Sequence, residues 1–256
     1  MNTMMRILIV NPNTSEHFNR LLRATAKSYA LDSTQLRVIS PKSGPSTIEG
    51  VYDEALSIQG TVKVFLEFEN EFDGCIIACF SDHLSVYALR EITRKPVIGI
   101  AEAAIHLACL LGNKFSIVTT NARWEPLLSE AVKKYGVGSR CASVRVTNLP
   151  VSDFEDEGNP NLKAAIEAEA HAAVNEDGAE VICLGCAGMS GFDKELQKKL
   201  DVPVLDGVVC ALKLLELFHQ CGLTHSKVLT YSAPLWKELT NLSPDFAKAY
   251  TSEKNN

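Results

Sequence analysis

Two of the eight cysteines in the chain stand in matching surroundings. Cys75-Ile-Ile-Ala-Cys79 reappears 107 residues later as Ile182-Cys-Leu-Gly-Cys186. Each segment is an apolar run of strand length that ends on a cysteine and gives way to turn-forming residues, Ser81-Asp82 in one case and Ala187-Gly188 in the other. Two thiols on opposite sides of a carbon acid suit one chemistry. A thiolate on one face removes a proton, a thiol on the other face returns one, and the stereocentre inverts. Thiols with an ordinary pKa of about 8.5 lie close enough to neutrality for general acid–base work. The charge that develops on the substrate carbonyl calls for N–H donors, which strand-to-helix turns supply. A helix N-terminus beside each sulfur is expected to favour its thiolate. Either cysteine alone would read as core packing, as the other six do. The repeat is what singles out the pair.

The elements that must position them alternate between strand and helix. Arg6 to Val10 is a buried β-branched strand that ends in the turn-and-cap cluster Asn11-Pro12-Asn13-Thr14-Ser15. A helix is predicted from Glu16 to Ala30, a strand over Leu36–Ile39, a Pro/Gly/Ser-rich loop over 40–50 and a helix from Tyr52 to Glu71. Gly74–Cys79 reads as a strand, Ser85–Thr93 as a helix, Val97–Ile100 as a strand and Ala101–Leu111 as a helix. Near-continuous apolar strands alternating with helices point to α/β architecture with parallel sheets covered on both faces. The pattern then repeats. Pro96-Val-Ile-Gly-Ile100 returns 107 residues later as Pro203-Val-Leu-Asp-Gly207, and the Arg6 strand returns 109 residues later at Phe115. The expected organisation is two similar halves, residues 1–112 and 113–222. A tail over 223–256 contains a strand-like run, Lys227–Tyr231, and is expected to cross back to the first half. Ligands of open α/β sheets bind at the carboxyl ends of the strands. Two facing halves would therefore set Cys79 and Cys186 on opposite walls of one crevice.

Composition narrows the function classes. The chain has 25 basic and 31 acidic residues, for a net charge of −6, and no basic cluster, so nucleic acid is not an expected partner. The apolar run before Asn11 is too short for a signal-peptide core, and no stretch is long enough to span a bilayer, so a cytoplasmic protein with reduced thiols and no membrane partner is expected. Cys183-Leu-Gly-Cys186 has C-x-x-C spacing. It lies in a strand, without a second pair or a nearby His pair, and reads as neither a zinc site nor a redox motif. No P-loop, G-x-G-x-x-G or metal-ligand spacing is present, so no cofactor or metal is expected.

The chain resembles the hydantoin and allantoin racemase branch of the aspartate/glutamate/hydantoin racemase superfamily. The resemblance rests on Ile9-Val-Asn-Pro-Asn-Thr-Ser15, Gly44-Pro-Ser-Thr-Ile-Glu-Gly50, Ala78-Cys-Phe-Ser-Asp82, Pro96 to Ala104 and Gly185-Cys-Ala-Gly-Met189, and it covers about residues 5 to 220. It implies two Rossmann-like halves related by pseudo-twofold symmetry with the active site between them. It also implies no cofactor, a homo-oligomer, and a cysteine pair, Cys79 and Cys186, as acid and base. Bacterial members usually continue after the first cysteine with Asp-Pro-Gly or Asp-Thr-Gly. This chain has Asp82-His83-Leu84, which is more like the fungal members, and His83 is open to two roles, pocket donor or helix cap. The matches extend the candidate substrate contacts to Asn13, Ser81, Asp82, Thr119, Thr120, Gly185, Ala187 and Gly188 near strand ends, with Ser43 and Thr47 on a loop over the cleft. Asn13 would supply the donor and acceptor that a ureide needs. Glu102 is a candidate supporting residue. The implied reaction is racemisation of a 5-substituted hydantoin or an allantoin-like cyclic ureide. An aspartate or glutamate racemase and a catalytically inactive binding protein of the same fold are the alternatives. Cys-Phe-Ser-Asp-His83 and Gly185-Cys-Ala-Gly188 depart from the amino-acid racemase motifs, and the second thiol disfavours the arylmalonate decarboxylase pattern.

Overall fold

The computed structural model describes residues 4–156 and 159–250. Among these described residues eight strands form two four-stranded parallel sheets. The first contains β1 (Met5–Val10), β2 (Thr34–Ile39), β3 (Gly74–Ile77) and β4 (Val97–Gly99) in the order β2-β1-β3-β4. The second contains β5 (Phe115–Thr119), β6 (Cys141–Val146), β7 (Val181–Leu184) and β8 (Val204–Asp206) in the order β6-β5-β7-β8. Second, first, third, fourth is the same connectivity twice, which is the two-half architecture expected from the repeat. The strands read as apolar runs because both faces of each sheet are covered: Ile7, Leu8, Ile9 and Val10 are all fully buried.

In the first half, α1 (Glu16–Tyr29), α2 (Val51–Phe68), α3 (Leu84–Ile92) and α4 (Ile100–Leu111) flank the sheet. In the second, α5 (Trp124–Lys134), α6 (Pro160–Asn175), α7 (Asp193–Leu200) and α8 (Gly207–Gln220) do the same. One apolar core runs through both. It joins Ile7, Ile9 and Ile76 of the first sheet to Phe115, Ile117 and Val181 of the second, through Ile105 of α4 and Leu212 and Leu215 of α8. The outer faces have separate cores, one under α2 and α3 and one under α6 and α7.

The two halves meet most closely where α4 and α8 begin. Each of these helices starts directly from the last strand of its half, and Ile100 and Gly207 occupy equivalent repeat positions. A side chain at Gly207 would place its Cβ 2.6 Å from the Ile100 carbonyl oxygen. The Asp206 side chain caps α8 by accepting from the Val208 and Val209 N–H groups.

After α8 the chain runs back along the first half. The His225 N–H donates to the Arg94 carbonyl at 2.9 Å, the Val97 N–H donates to His225 Nε2 at 2.7 Å, and Lys227 Nζ donates to the Arg90 and Glu91 carbonyls. The strand-like run expected over Lys227–Tyr231 is instead a 3-10 turn at Leu229–Tyr231. Leu229 has a left-handed φ of 59°, which no strand residue keeps, and the Val97 N–H that a new strand would need is already taken by His225. A short helix, α9 (Pro244–Ala247), follows and packs on α2. Among the described residues no helix is long and apolar enough to cross a membrane.

Alanine has a better helix propensity than glycine by roughly 1 kcal/mol in a helix interior. At position 207 that gain is outweighed, because the added methyl meets a backbone oxygen and only separation of α4 from α8 relieves the contact. Gly207→Ala should therefore lower stability by about 1–3 kcal/mol, read as a lower urea midpoint. An unchanged or raised midpoint would show that the helix junction is looser than described.

Candidate active site

The carboxyl ends of β1, β3, β5 and β7 converge on one cleft between the sheets, with roughly 470 Å³ of free space including its open mouth. Asn11, Pro12 and Asn13 follow β1; Ala78, Cys79 and Phe80 follow β3; Thr120 follows β5; Gly185, Cys186, Ala187 and Gly188 follow β7. Ile48, Phe18, Trp124 and Val151 supply apolar wall. Cys79 and Cys186 therefore line the same space from different halves. Both are half-buried at the surface, and neither lies within its strand: β3 stops at Ile77 and β7 at Leu184.

Tight backbone packing sets these loops. The Ala78 N–H donates to the Val10 carbonyl, and the Gly185 N–H donates to the Val118 carbonyl, at 2.9 and 2.7 Å. A Cβ at Gly185 would sit 2.8 Å from atoms of Ile117, Val118 and Thr119, so only glycine lets β7 end against β5. Gly188 leaves room for Phe154 and Phe18.

The two sulfurs differ in their partners. Cys186 Sγ accepts from the Gly188 N–H at 3.3 Å, in the 3-10 turn Ala187–Met189. Cys79 Sγ accepts from the Ser81 hydroxyl at 3.5 Å. Burial raises the pKa of both thiols, Cys186 to about 11 and Cys79 well above the usual thiol range. Nearby carboxylates add to the effect, Glu54 for Cys79 and Glu49 for Cys186, while Ser81 and the Gly188 and Met189 N–H groups act in the opposite direction. The expected thiolate-favouring helix termini are thus outweighed. The α3 helix begins at Leu84, its Ser85 N–H is taken by His83 Nδ1, and loss of water costs the anion more than a turn's N–H groups return.

Of the expected contacts, Asn13, Thr120, Gly185, Ala187 and Gly188 line the cleft with the cysteines. Ser81 lies one step back, behind Cys79. The others lie elsewhere, each for a physical reason. The Thr119 hydroxyl is buried and donates to the Gly185 carbonyl at 2.8 Å. Asp82 accepts from Tyr87, Tyr135 and Lys134 and faces a second cavity lined by Glu54, Ser81 and Trp124. Ser43 is exposed on the loop beside Gly60 of α2. Thr47 is half-buried, but its neighbour Ile48 is the residue that faces the cleft. Glu102 pairs with Arg90 at 2.6 Å and serves the α3–α4 junction.

His83 is a cap. Its Nδ1 accepts from the Ser85 N–H at 3.3 Å, so its Nε2 carries the proton and donates to Ser57 Oγ at 2.9 Å. Burial lowers its pKa to about 4 and keeps it neutral.

Several site residues escape sequence reading. Ile48 is a lone apolar residue in a polar loop, a signal that something must bury it. Glu49 beside it accepts from Asn121 Nδ2 at 2.7 Å and from the Val151 N–H at 2.8 Å, tying the first-half loop to the second half. Asn11, 1% exposed at the end of an apolar strand, gave no comparable signal.

Residues 7–215 match the Asp/Glu/Hydantoin racemase family. The chain belongs to this family. A hydantoin racemase of Pseudomonas sp. (strain NS671) is 40% identical over 98% of this chain and 100% of its own length. The solved structure of allantoin racemase from Klebsiella pneumoniae superposes with a TM-score of 0.88 at 35% identity, covering 96% of this chain and 99% of that one. A fungal relative, an uncharacterised protein of Schizosaccharomyces pombe, is 35% identical over 90% of this chain and 98% of its own. This chain is a racemase, and so an isomerase. Among its described residues no group of three or more His, Cys, Asp or Glu is disposed to hold a metal ion.

Because both pKa values are raised, the reactive thiolates are scarce at neutral pH and increase as pH rises. Exposed Cys221 should label first with iodoacetamide at pH 7. Cys186 labelling should climb by about tenfold per pH unit on the way to its pKa, with Cys79 lagging behind it. Timed labelling followed by peptide mass spectrometry reads this order. Equal labelling of Cys79 and Cys221 at pH 7 would contradict it.

Proposed function

We propose that this racemase inverts the stereocentre of a 5-substituted hydantoin or an allantoin-like cyclic ureide by a two-thiol mechanism that needs no cofactor. The observation that carries the reading is that Cys79 and Cys186 line one cleft from opposite repeat halves. A planar ring between them would present one face to each sulfur. The reacting pair holds one thiolate and one thiol, so the first proton lost belongs to the pair and not to either residue alone. Cys186 holds the charge more readily, with the Gly188 N–H donated to its sulfur at 3.3 Å. A thiolate on one side takes the ring α-proton, charge moves onto the adjacent carbonyl, and the opposite thiol protonates the planar carbanion from the other face. For the reverse enantiomer the roles exchange.

The lining chemistry favours a neutral ring over an α-amino acid. No lysine, arginine or histidine is among the described residues that line the cleft, so a free carboxylate has no cationic anchor there. Relatives over nearly the whole chain bear the names hydantoin racemase and allantoin racemase, which supports the ureide class.

Cys79→Ser and Cys186→Ser should each lower racemisation by at least about a hundredfold, because a hydroxyl is a far weaker acid than a thiol. Each variant keeps one thiol, which still removes a proton from its own side and returns it. In deuterated water, corrected for spontaneous exchange, one variant should wash out the α-proton of one enantiomer and the other variant that of its mirror image. If both variants exchange the same enantiomer, or either racemises at the unsubstituted rate, the two-thiol mechanism is wrong for this protein.

A further inference from the structure

The cleft holds a second recognition element beside the thiols, built on the turn that follows β1. Asn11 is almost wholly buried and lines the cleft, and its two polar atoms are in opposite situations. Its Nδ2 donates inward to Asn13 Oδ1 at 2.9 Å, to Asn19 Oδ1 at 3.2 Å and to the Ser15 carbonyl at 3.4 Å. Because the Ser15 carbonyl can only accept, the Asn11 amide cannot be turned the other way. That leaves Asn11 Oδ1 buried with no hydrogen-bond partner. Among the described residues three other buried side-chain atoms share that condition, in His17, Ser85 and Ser190, and none of those residues lines the cleft.

Asn13 is the complement. Its Oδ1 accepts from Asn11 Nδ2 and from the Ser15 N–H, at 2.9 Å each, and because an N–H can only donate, this amide is fixed as well. The polar group left to Asn13 is its Nδ2. Two residues apart in sequence, on one wall of the cleft, the turn thus keeps one amide acceptor and one amide donor. Asn13 alone does not supply both, because its carbonyl is committed to the turn.

We propose that Asn11 Oδ1 and Asn13 Nδ2 form an amide-edge subsite, in which Asn11 accepts a ring N–H of the ligand and Asn13 donates to the ring carbonyl beside it. The inference rests on the reading of this cleft as the active site and narrows the substrate to neutral rings that carry an unsubstituted N–H next to a carbonyl. A lactone or N-alkylated ring would set oxygen or carbon against the buried Asn11 carbonyl, and a carboxylate would set acceptor against acceptor. A site built to accept an N–H rejects the analogue that lacks it, because its own buried group is then left unpaired.

Binding to the intact protein tests this without depending on turnover. Two pairs of probes are compared by ligand-observed NMR titration: 2-pyrrolidinone against γ-butyrolactone, which exchanges N–H for oxygen at constant ring size, and hydantoin against 1,3-dimethylhydantoin. The lactam should bind at least about tenfold more tightly than the lactone, and hydantoin at least about tenfold more tightly than its dimethyl form. Asn13→Asp keeps an oxygen for Asn11 and Ser15 and changes the group left facing the cleft from donor to acceptor. It should weaken hydantoin binding by a similar factor while its circular dichroism and thermal midpoint stay close to those of the unsubstituted protein. Equal affinity for lactam and lactone overturns the subsite, as does unchanged hydantoin binding by a folded Asn13→Asp, or failure of both hydantoin and lactam to bind. Selective binding of N–H rings without racemisation of any hydantoin upholds the subsite and refutes the proposed reaction. Racemisation with equal lactam and lactone affinity does the reverse.

Discussion

The structure turns on the contact between the starts of α4 and α8. Where Gly207 meets the Ile100 carbonyl there is no room for a side chain, and this proximity sets how the two sheets face each other. Each helix leaves directly from its half's last strand, so fixing the helices fixes the strand ends. Those last strands pair with β3 and β7, and the loops that follow β3 and β7 carry Cys79 and Cys186. The common core of Ile105, Leu212 and Leu215 makes the junction an interior and not a hinge. Two thiols can share one small ring only if the walls that bear them are held to within a fraction of an ångström, and a tightly packed helix pair provides that in a way that two domains on a flexible linker would not.

Within that frame the electrostatics oppose easy ionisation. Burial dominates at both sulfurs, and the polar groups around them set only the difference between the two. Chemistry that needs a thiolate in a water-poor site must supply it either by paying for desolvation or by letting the charge move onto the ligand. In the proposed reaction, a ring whose carbonyl takes up that charge would relieve the cost that burial places on the thiolate. The neutral lining suits the proposed reaction, because no lysine, arginine or histidine among the described lining residues would trap the charge.

Much of the fold was legible in the sequence because it depends on local pattern. The apolar runs around Ile7, Ile76 and Ile182 are buried on both faces, and their spacing repeats as the sheets repeat. The placement of Cys79 and Cys186 in one cleft was legible for the same reason, as a repeat feature. What was not legible depends on long-range hydrogen bonds. Glu49 reaches Asn121 and Val151 across the cleft, and this turns Ile48 inward in place of Ser43 or Thr47. Asp82 is claimed by Tyr87, Tyr135 and Lys134, and Thr119 by a carbonyl that sequence does not place beside it. Asn13 was legible as a polar residue at a strand end, but not that Ser15 and Asn11 would occupy its carbonyl.

The bond from the Val97 N–H to His225 also bears on self-association. β4 and β8 are edge strands, and a free edge offers unpaired backbone groups to any other extended chain. On β4 the Val97 amide is stoppered by the His225 ring, and the Val97 carbonyl by the Arg90 guanidinium at 2.9 Å. At the equivalent position on β8, the Val204 N–H meets Gln197 Oε1 from α7 at 3.3 Å. The two halves thus blunt corresponding edges by different means, one with a neighbouring helix and one with a neighbouring helix joined by a residue from beyond the repeat. In the first half, protection of the β4 edge is shared between Arg90 of α3 and the tail.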